Sequence, residues 1–194
     1  MNTNSFFSVI EEYAEKENVP IMKKDSIDYL LEFIRNNNIK DVLEIGSAIG
    51  YSALKISTTG ANVTTIERDE ERYKIAVENI NKSNYKNQIN IILSDALDVN
   101  LAEKYDLIFI DAAKGKNKEF IDKFKENLKT NGFIIIDNMD FHGLVGKSNE
   151  IKKRRLRSLV RKIESFIEYM ENQIEFKVTK INVGDGLYLL ERNN

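Results

Sequence analysis

The feature that most constrains this chain is a short run of β-branched and aliphatic residues that recurs along its length. The runs are 41–45 (DVLEI), 62–67 (NVTTIE), 89–93 (INIIL), 105–111 (YDLIFID) and 133–137 (FIIID). Most are apolar at consecutive positions rather than alternating, the mark of strands covered on both faces. Helical periodicity follows the first, second and fourth, over 51–57, 70–82 and 118–128. Such alternation predicts an α/β fold built on a doubly wound, mostly parallel sheet with right-handed crossovers. Runs 174–181 and 186–191, separated by Asn-Val-Gly-Asp, predict a closing antiparallel hairpin and bring the sheet to seven strands. Connection 94–104 is too short for a firm helix.

An N-terminal helical region, 1–38, precedes the sheet, with helices over 5–17 and 26–36 broken at Pro20, the only proline. A long amphipathic helix over 151–171 lies within a basic segment, 147–171. At 194 residues the chain reads as a single domain over 1–194 with room for a sizeable core. There is no cysteine, which removes disulfides, zinc–thiolate sites and a thiol nucleophile. The N-terminus lacks a signal peptide's basic start, and no run approaches the roughly 20 apolar residues of a membrane span. A soluble, cytoplasmic protein without a membrane partner is expected.

The first strand runs into a glycine loop, Val42-Leu-Glu-Ile-Gly-Ser-Ala-Ile-Gly-Tyr-Ser52. Glycines let backbone approach a ligand closely, and the following helix start offers free N–H groups. The spacing Glu44-x-Gly46-x-x-x-Gly50 is not the G-x-G-x-x-G of dinucleotide binders, which disfavours a dehydrogenase. Glu67 closes the second strand, where a carboxylate can accept the two hydroxyls of a ribose. The plainer reading makes Glu67 part of the charged cluster ERDEER, with Asp69 capping the next helix. Asp111 ends the fourth run, and Asp137 and Asn138 end the fifth. Adjacent parallel strands bring these oxygens together at the usual ligand crevice, where a hard cation such as Mg²⁺ would satisfy them. The alternative is that each aspartate merely caps its loop. Lys114 follows in AAKGKNK, with Lys116 and Lys118 as rivals. His142, the only histidine, reads as incidental.

Together these pieces resemble the metal-dependent O-methyltransferases, the catechol and caffeoyl-CoA group of class I methyltransferases. The matching segments are VLEIGSAIGYSA, TIERDEER, SDAL, FIDAAKG, IIIDNMDFHGLV and VGDGL, which span most of the chain. Within that group, VPIMKK and KKRRLRSLVRKIESF resemble the bacterial tRNA 5-hydroxyuridine methyltransferases. The resemblance implies S-adenosylmethionine as cofactor, Mg²⁺ or another divalent cation, and a homodimer. It implies Asp111, Asp137 and Asn138 as metal ligands, Asp111 also bordering the cofactor, and Glu67 as the ribose acid. Glu44 and Gly46 belong to the cofactor loop, Ser52 and Met22 to its amino acid and methionine end, and Asp95 and Ala96 to adenine. Lys114 matches the catalytic lysine beside Asp111, as base or oxyanion stabiliser. The family's aromatic before that lysine is Ala113 here, which implies a roomier pocket, and the N-terminal region is short for a lid.

Between Lys147 and Lys162 there are eight basic residues against one acid, a net +7; the chain totals −2, so the remainder carries −9. Lys153, Arg157 and Arg161 recur at helical spacing, and Arg154 and Arg155 widen that face. Such a patch suits a phosphate backbone, an acidic small molecule or a dimer contact. With the resemblance, the expected substrate is 5-hydroxyuridine in the tRNA anticodon loop, converted to 5-methoxyuridine at the wobble position. The rivals are a small catechol or caffeoyl-CoA-like acceptor, and a non-catalytic RNA-binding protein.

Overall fold

The β-branched runs become strands, largely buried except for β3 (Ile89–Leu93) at the sheet edge, which is only partly covered. In the computed structural model, which describes residues 3–193, the strands are β1 (Asp41–Ile45), β2 (Asn62–Glu67), β3 (Ile89–Leu93), β4 (Tyr105–Ile110), β5 (Leu128–Ile136), β6 (Phe176–Ile181) and β7 (Leu187–Arg192). They form one sheet in the order β3-β2-β1-β4-β5-β7-β6. β1 to β5 pair in parallel, and β7 is antiparallel to both its neighbours. The strand order therefore reverses between β1 and β4, which opens a crevice beyond their C-terminal ends.

The helices are α1 (Thr3–Lys16), α2 (Lys24–Asn36), α3 (Tyr51–Ser57), α4 (Glu70–Lys82), α5 (Asn117–Phe124) and α6 (Arg154–Asn172). Alternation along each strand splits the core in two. Val42, Leu107 and Ile135 pack with Phe7, Ile10, Leu30, Ile34 and Leu54 on one face. Leu43, Ile108 and Ile134 pack with Phe120, Phe124, Ile163 and Phe166 on the other. Val160, Ile163, Phe166 and Met170 bury the apolar stripe of α6, each side chain contributing about 2 kcal/mol.

The predicted α/β architecture and its C-terminal hairpin are present, with altered boundaries. The helix expected over 118–128 ends at Phe124 and passes through a 3₁₀ turn at Lys125–Asn127. Asn127 Nδ2 donates to the carbonyls of Leu101 and Glu103, both at 2.9 Å, and so ties the chain across to β4's entry. β5 then begins at Leu128 rather than 133, because Leu128 pairs with Tyr105 and an irregularity between Tyr105 and Leu107 restores register. Gly132 fits there because a Cβ would stand 2.8 Å from the Leu128 side chain. The 94–104 connection holds one 3₁₀ turn, Ala96–Asp98, nucleated by Asp95 accepting the Leu97 N–H at 3.0 Å. α6 starts at Arg154, not 151, with Lys153 extended before it.

Candidate active site

The crevice at the β1–β4 switch is shaped by the glycine loop. Gly46 has φ +95°, and a Cβ there would lie 2.4 Å from the Asp111 carbonyl oxygen, so the loops after β1 and β4 touch through bare backbone. Ala48 has φ +45°, a conformation rare for a residue with a side chain. It is pinned by donating its N–H to Glu67 Oε2 at 2.8 Å. Glu67 Oε1 accepts from the N–H groups of Arg68 at 2.9 Å and Asp69 at 2.8 Å. Its carboxylate is thus fixed by backbone on three sides, while Asp69 caps α4 through Arg72 N–H at 3.0 Å. The plainer reading, with Asp69 as the helix cap, is thus present, and it leaves Glu67 on the cavity wall.

Glu44 lies deeper. It is fully buried, accepts a hydrogen bond from Thr65 Oγ1 at 2.5 Å, and has Oε1 without a partner among the described residues. Burial pushes its carboxyl up to about 7, with the Ser52 and Thr65 hydroxyls offsetting only part of that rise and the charge of Asp111 adding to it. It is not among the residues that line the cavity.

Asp111 and Asp137 each follow a strand end and extend its ladder: Asp111 N–H donates to Ile45 O and Asp137 N–H to Ile110 O, both at 3.0 Å. Asp137 is almost fully buried. Burial and the charge of Asp111 hold its carboxyl well above the ordinary carboxylate range, against the opposing pull of Lys114. Lys114 Nζ donates to Asp111 Oδ1 at 2.8 Å and to the Asp137 carbonyl at 3.2 Å. Asn138 adopts φ +66°, and its buried Oδ1 has no partner among the described residues. Two carboxylates, one lysine and an amide whose oxygen has no partner among the described residues therefore belong to one cavity lining, and one ammonium does not satisfy them all. Among the described residues no three His, Cys, Asp or Glu side chains converge on a metal-sized point; an oxygen trio here depends on the amide.

A cavity of about 370 Å³ opens over these groups. Met22, Gly46, Ser52, Glu67, Asp95, Ala96, Asp111, Lys114, Asp137 and Asn138 all line it, so nearly the whole sequence-derived set is brought together; Glu44 alone of that set is not on its wall. Lys116, the sequence rival of Lys114, lines it too, as do Lys23, Tyr51, Arg68, Arg72, Phe120 and Asp185, which the sequence reading gave no role. Of these, Lys23, Tyr51, Arg68, Arg72 and Asp185 stand in segments that the resemblance singled out. The His142 side chain lies outside the described residues.

A second, more open cavity of about 680 Å³ lies between α5 and α6. Arg154, Arg157, Arg161 and Lys162 line it, joined by Lys118, Tyr169 and Lys114, the last shared with the first cavity. Lys153 and Arg155 do not line it: Lys153 precedes the helix in extended backbone, and Arg155 is exposed elsewhere on the first turn. Arg161 donates to Asn149 Oδ1 at 3.0 Å.

An open sheet of this strand order, with a glycine loop at the switch point and a carboxylate closing β2, defines the class I methyltransferase fold. More narrowly, the O-methyltransferase family model matches residues 4–193, and the chain belongs to that family. A Staphylococcus aureus structure, provisionally described as a caffeoyl-CoA O-methyltransferase, is 36% identical with a TM-score of 0.91, covering 96% of this chain and 92% of that one. Caffeoyl-CoA O-methyltransferase of Populus kitakamiensis is 28% identical over 90% of this chain and 77% of its own length. A Bacillus cereus O-methyltransferase solved with S-adenosylhomocysteine shares the fold, at 22% identity and TM-score 0.82, covering 97% and 91% of the two chains. No described helix is long and apolar enough to cross a membrane.

Proposed function

We propose that this protein is an S-adenosylmethionine- and Mg²⁺-dependent O-methyltransferase that converts 5-hydroxyuridine at the tRNA wobble position to 5-methoxyuridine. The observation that carries the reading is the position of Lys114, which lines both the acid–amide cavity and the arginine-lined groove. Chemistry and phosphate recognition would thereby sit side by side.

S-adenosylmethionine, when bound, supplies a methyl group on a sulfonium. Glu67 Oε2 takes one backbone donor and keeps a lone pair for a ribose hydroxyl. Met22 and Ser52 border the amino acid end, and Asp95 and Ala96 the adenine. The donor set fits a hard divalent ion, because the partnerless Asn138 Oδ1 and the under-compensated Asp137 are what such an ion would satisfy. Asp111, Asp137 and Asn138 would hold it, and when bound it supplies a Lewis acid for a hydroxyl with an oxygen neighbour. 5-Hydroxyuridine offers that pair in its 5-hydroxyl and 4-carbonyl.

Lys114 spends two of its three donors on Asp111 and the Asp137 carbonyl and has one left to hold a substrate oxyanion. That use favours positioning and charge stabilisation over proton removal. Arg154, Arg157 and Arg161 attract phosphates and set register without reading sequence. A single-stranded loop base can be splayed into the first cavity at less expense than a paired one, and Ala113 leaves space for it. The reading includes a cytoplasmic homodimer, which sedimentation of the purified protein would test.

A second reading, methylation of small catechols or caffeoyl-CoA-like acceptors, draws support from the names of the relatives and requires the same first cavity. Nucleoside mass spectrometry of tRNA from cells lacking the gene separates the two. The first reading expects 5-methoxyuridine to disappear and 5-hydroxyuridine to accumulate; an unchanged profile sends the assignment to the second.

A further inference from the structure

Lys23, in the Ile-Met-Lys-Lys stretch at 21–24, and the Gly-Asp-Gly at 184–186 remain unused by this chemistry, and the fold brings them together over the cofactor cavity. Residues 17–23 link α1 to α2, and within them Pro20, Ile21, Met22 and Lys23 line the cavity. Lys23 Nζ donates to Asp185 Oδ1 at 2.6 Å, across 162 positions of sequence. The Asp185 side chain is only 14% exposed, and it lines the same cavity.

The β6–β7 loop that carries Asp185 is held on its other side by the loop that follows β5 and carries Asp137 and Asn138. Asp140 N–H donates to the Asp185 carbonyl at 2.7 Å, and Met139 N–H to the Gly186 carbonyl at 2.9 Å. The flanking glycines have no room for side chains. A Cβ on Gly184 (φ +56°) would lie 2.0 Å from Ser26 Oγ at the start of α2, and one on Gly186 (φ +80°) would lie 2.7 Å from the Asp140 carboxyl carbon. The hairpin loop is thus wedged between residues 139–140 and the 19–26 segment, bonded to the first by backbone and to the second by the Lys23–Asp185 ion pair.

We infer that Lys23 and Asp185 form a latch that holds residues 19–23 as a strap across the methionine end of the cofactor site, with Asp185 as a positioning residue for cofactor affinity. The inference rests on the cofactor assignment of the proposed function and is independent of the tRNA substrate. Opening the latch frees the strap to swing with α1, while the wedged glycines keep the oxygen cluster in place.

Calorimetric titration of the full-length protein with S-adenosylmethionine, without substrate, tests it through Lys23→Met, Asp185→Asn, their double variant, and the conservative Asp185→Glu. Each neutralising change should weaken binding about fivefold. The double variant should be no weaker than either single, and Asp185→Glu should stay within about twofold of the parent. Hydrogen–deuterium exchange of the peptide covering 19–26, without cofactor, should quicken in both single variants and not in Asp185→Glu. Unchanged affinity in the single variants, effects that multiply in the double, or unaltered exchange would overturn the latch. A parent protein that binds no S-adenosylmethionine would defeat the proposed function instead, and the exchange experiment would still decide whether the strap is held.

Discussion

Glu44 is a buried carboxyl next to the site whose protonation can be read from stability alone. Its folded-state value of about 7 lies above the ordinary 4.5, so the folded chain retains a proton that the unfolded chain releases between those values. Stability from this group is therefore fully present below about pH 4.5 and is lost as pH rises to about 7. Glu44→Gln has no such titration. Its stability relative to the parent should rise by about 2 kcal/mol between pH 5.5 and pH 8, readable from urea unfolding at the two values. A difference that stays constant with pH would mean that Glu44 is not raised. Asp137 differs because it faces the cavity. Asp137→Ala should lower turnover by about two to three orders of magnitude while tRNA affinity, measured by filter binding, stays within about twofold. Joint loss of both would point to a role in folding.

At the scale of elements, α6 separates what the sequence shows from what it hides. Its apolar stripe was legible because burial imposes a 3.6-residue period, and the stripe is buried as expected. The choice of arginines was not legible, since three charges per turn fit any solvated face. Backbone geometry made that choice: α6 begins at Arg154, so Lys153 falls outside the helix and Arg155 turns away from the groove. Replacing Arg154, Arg157 and Arg161 by Glu should reduce tRNA methylation at least about thirtyfold at 0.15 M salt and flatten the salt dependence by about three charges. Arg155→Glu alone should change it by less than about threefold. Acids at a helix start favour the macrodipole, so the triple variant should keep its helix, which circular dichroism would verify. Intact activity of the triple variant on tRNA would remove α6 from recognition.

For the whole molecule, parallel order and the hairpin followed from the strand pattern, because a sheet covered on both faces cannot hide its apolar runs. The site was legible where chemistry clusters at strand ends, as at Asp111, Asp137 and Asn138. It was hidden where distant segments meet, as Lys23 and Asp185 do, because only tertiary packing brings them within 2.6 Å. The same strand ends make stability a test of the proposed cation. An ion that binds only the folded chain stabilises it by about 2.7 kcal/mol at a hundredfold excess over its dissociation constant. In a chain of this length that should raise Tm by about 5–10 °C. Mg²⁺ should therefore raise Tm in the parent and EDTA should reverse the shift, while Asp137→Ala and Asn138→Ala should show almost none. The pH dependence has a fixed sign. Asp137 is held above the usual carboxylate range and must lose its proton to take a cation, so the Mg²⁺-induced shift should be larger at pH 8 than at pH 6. Equal shifts in the parent and in Asp137→Ala would place the ion elsewhere, and the acids at the ends of β4 and β5 would then be compensated by Lys114 alone.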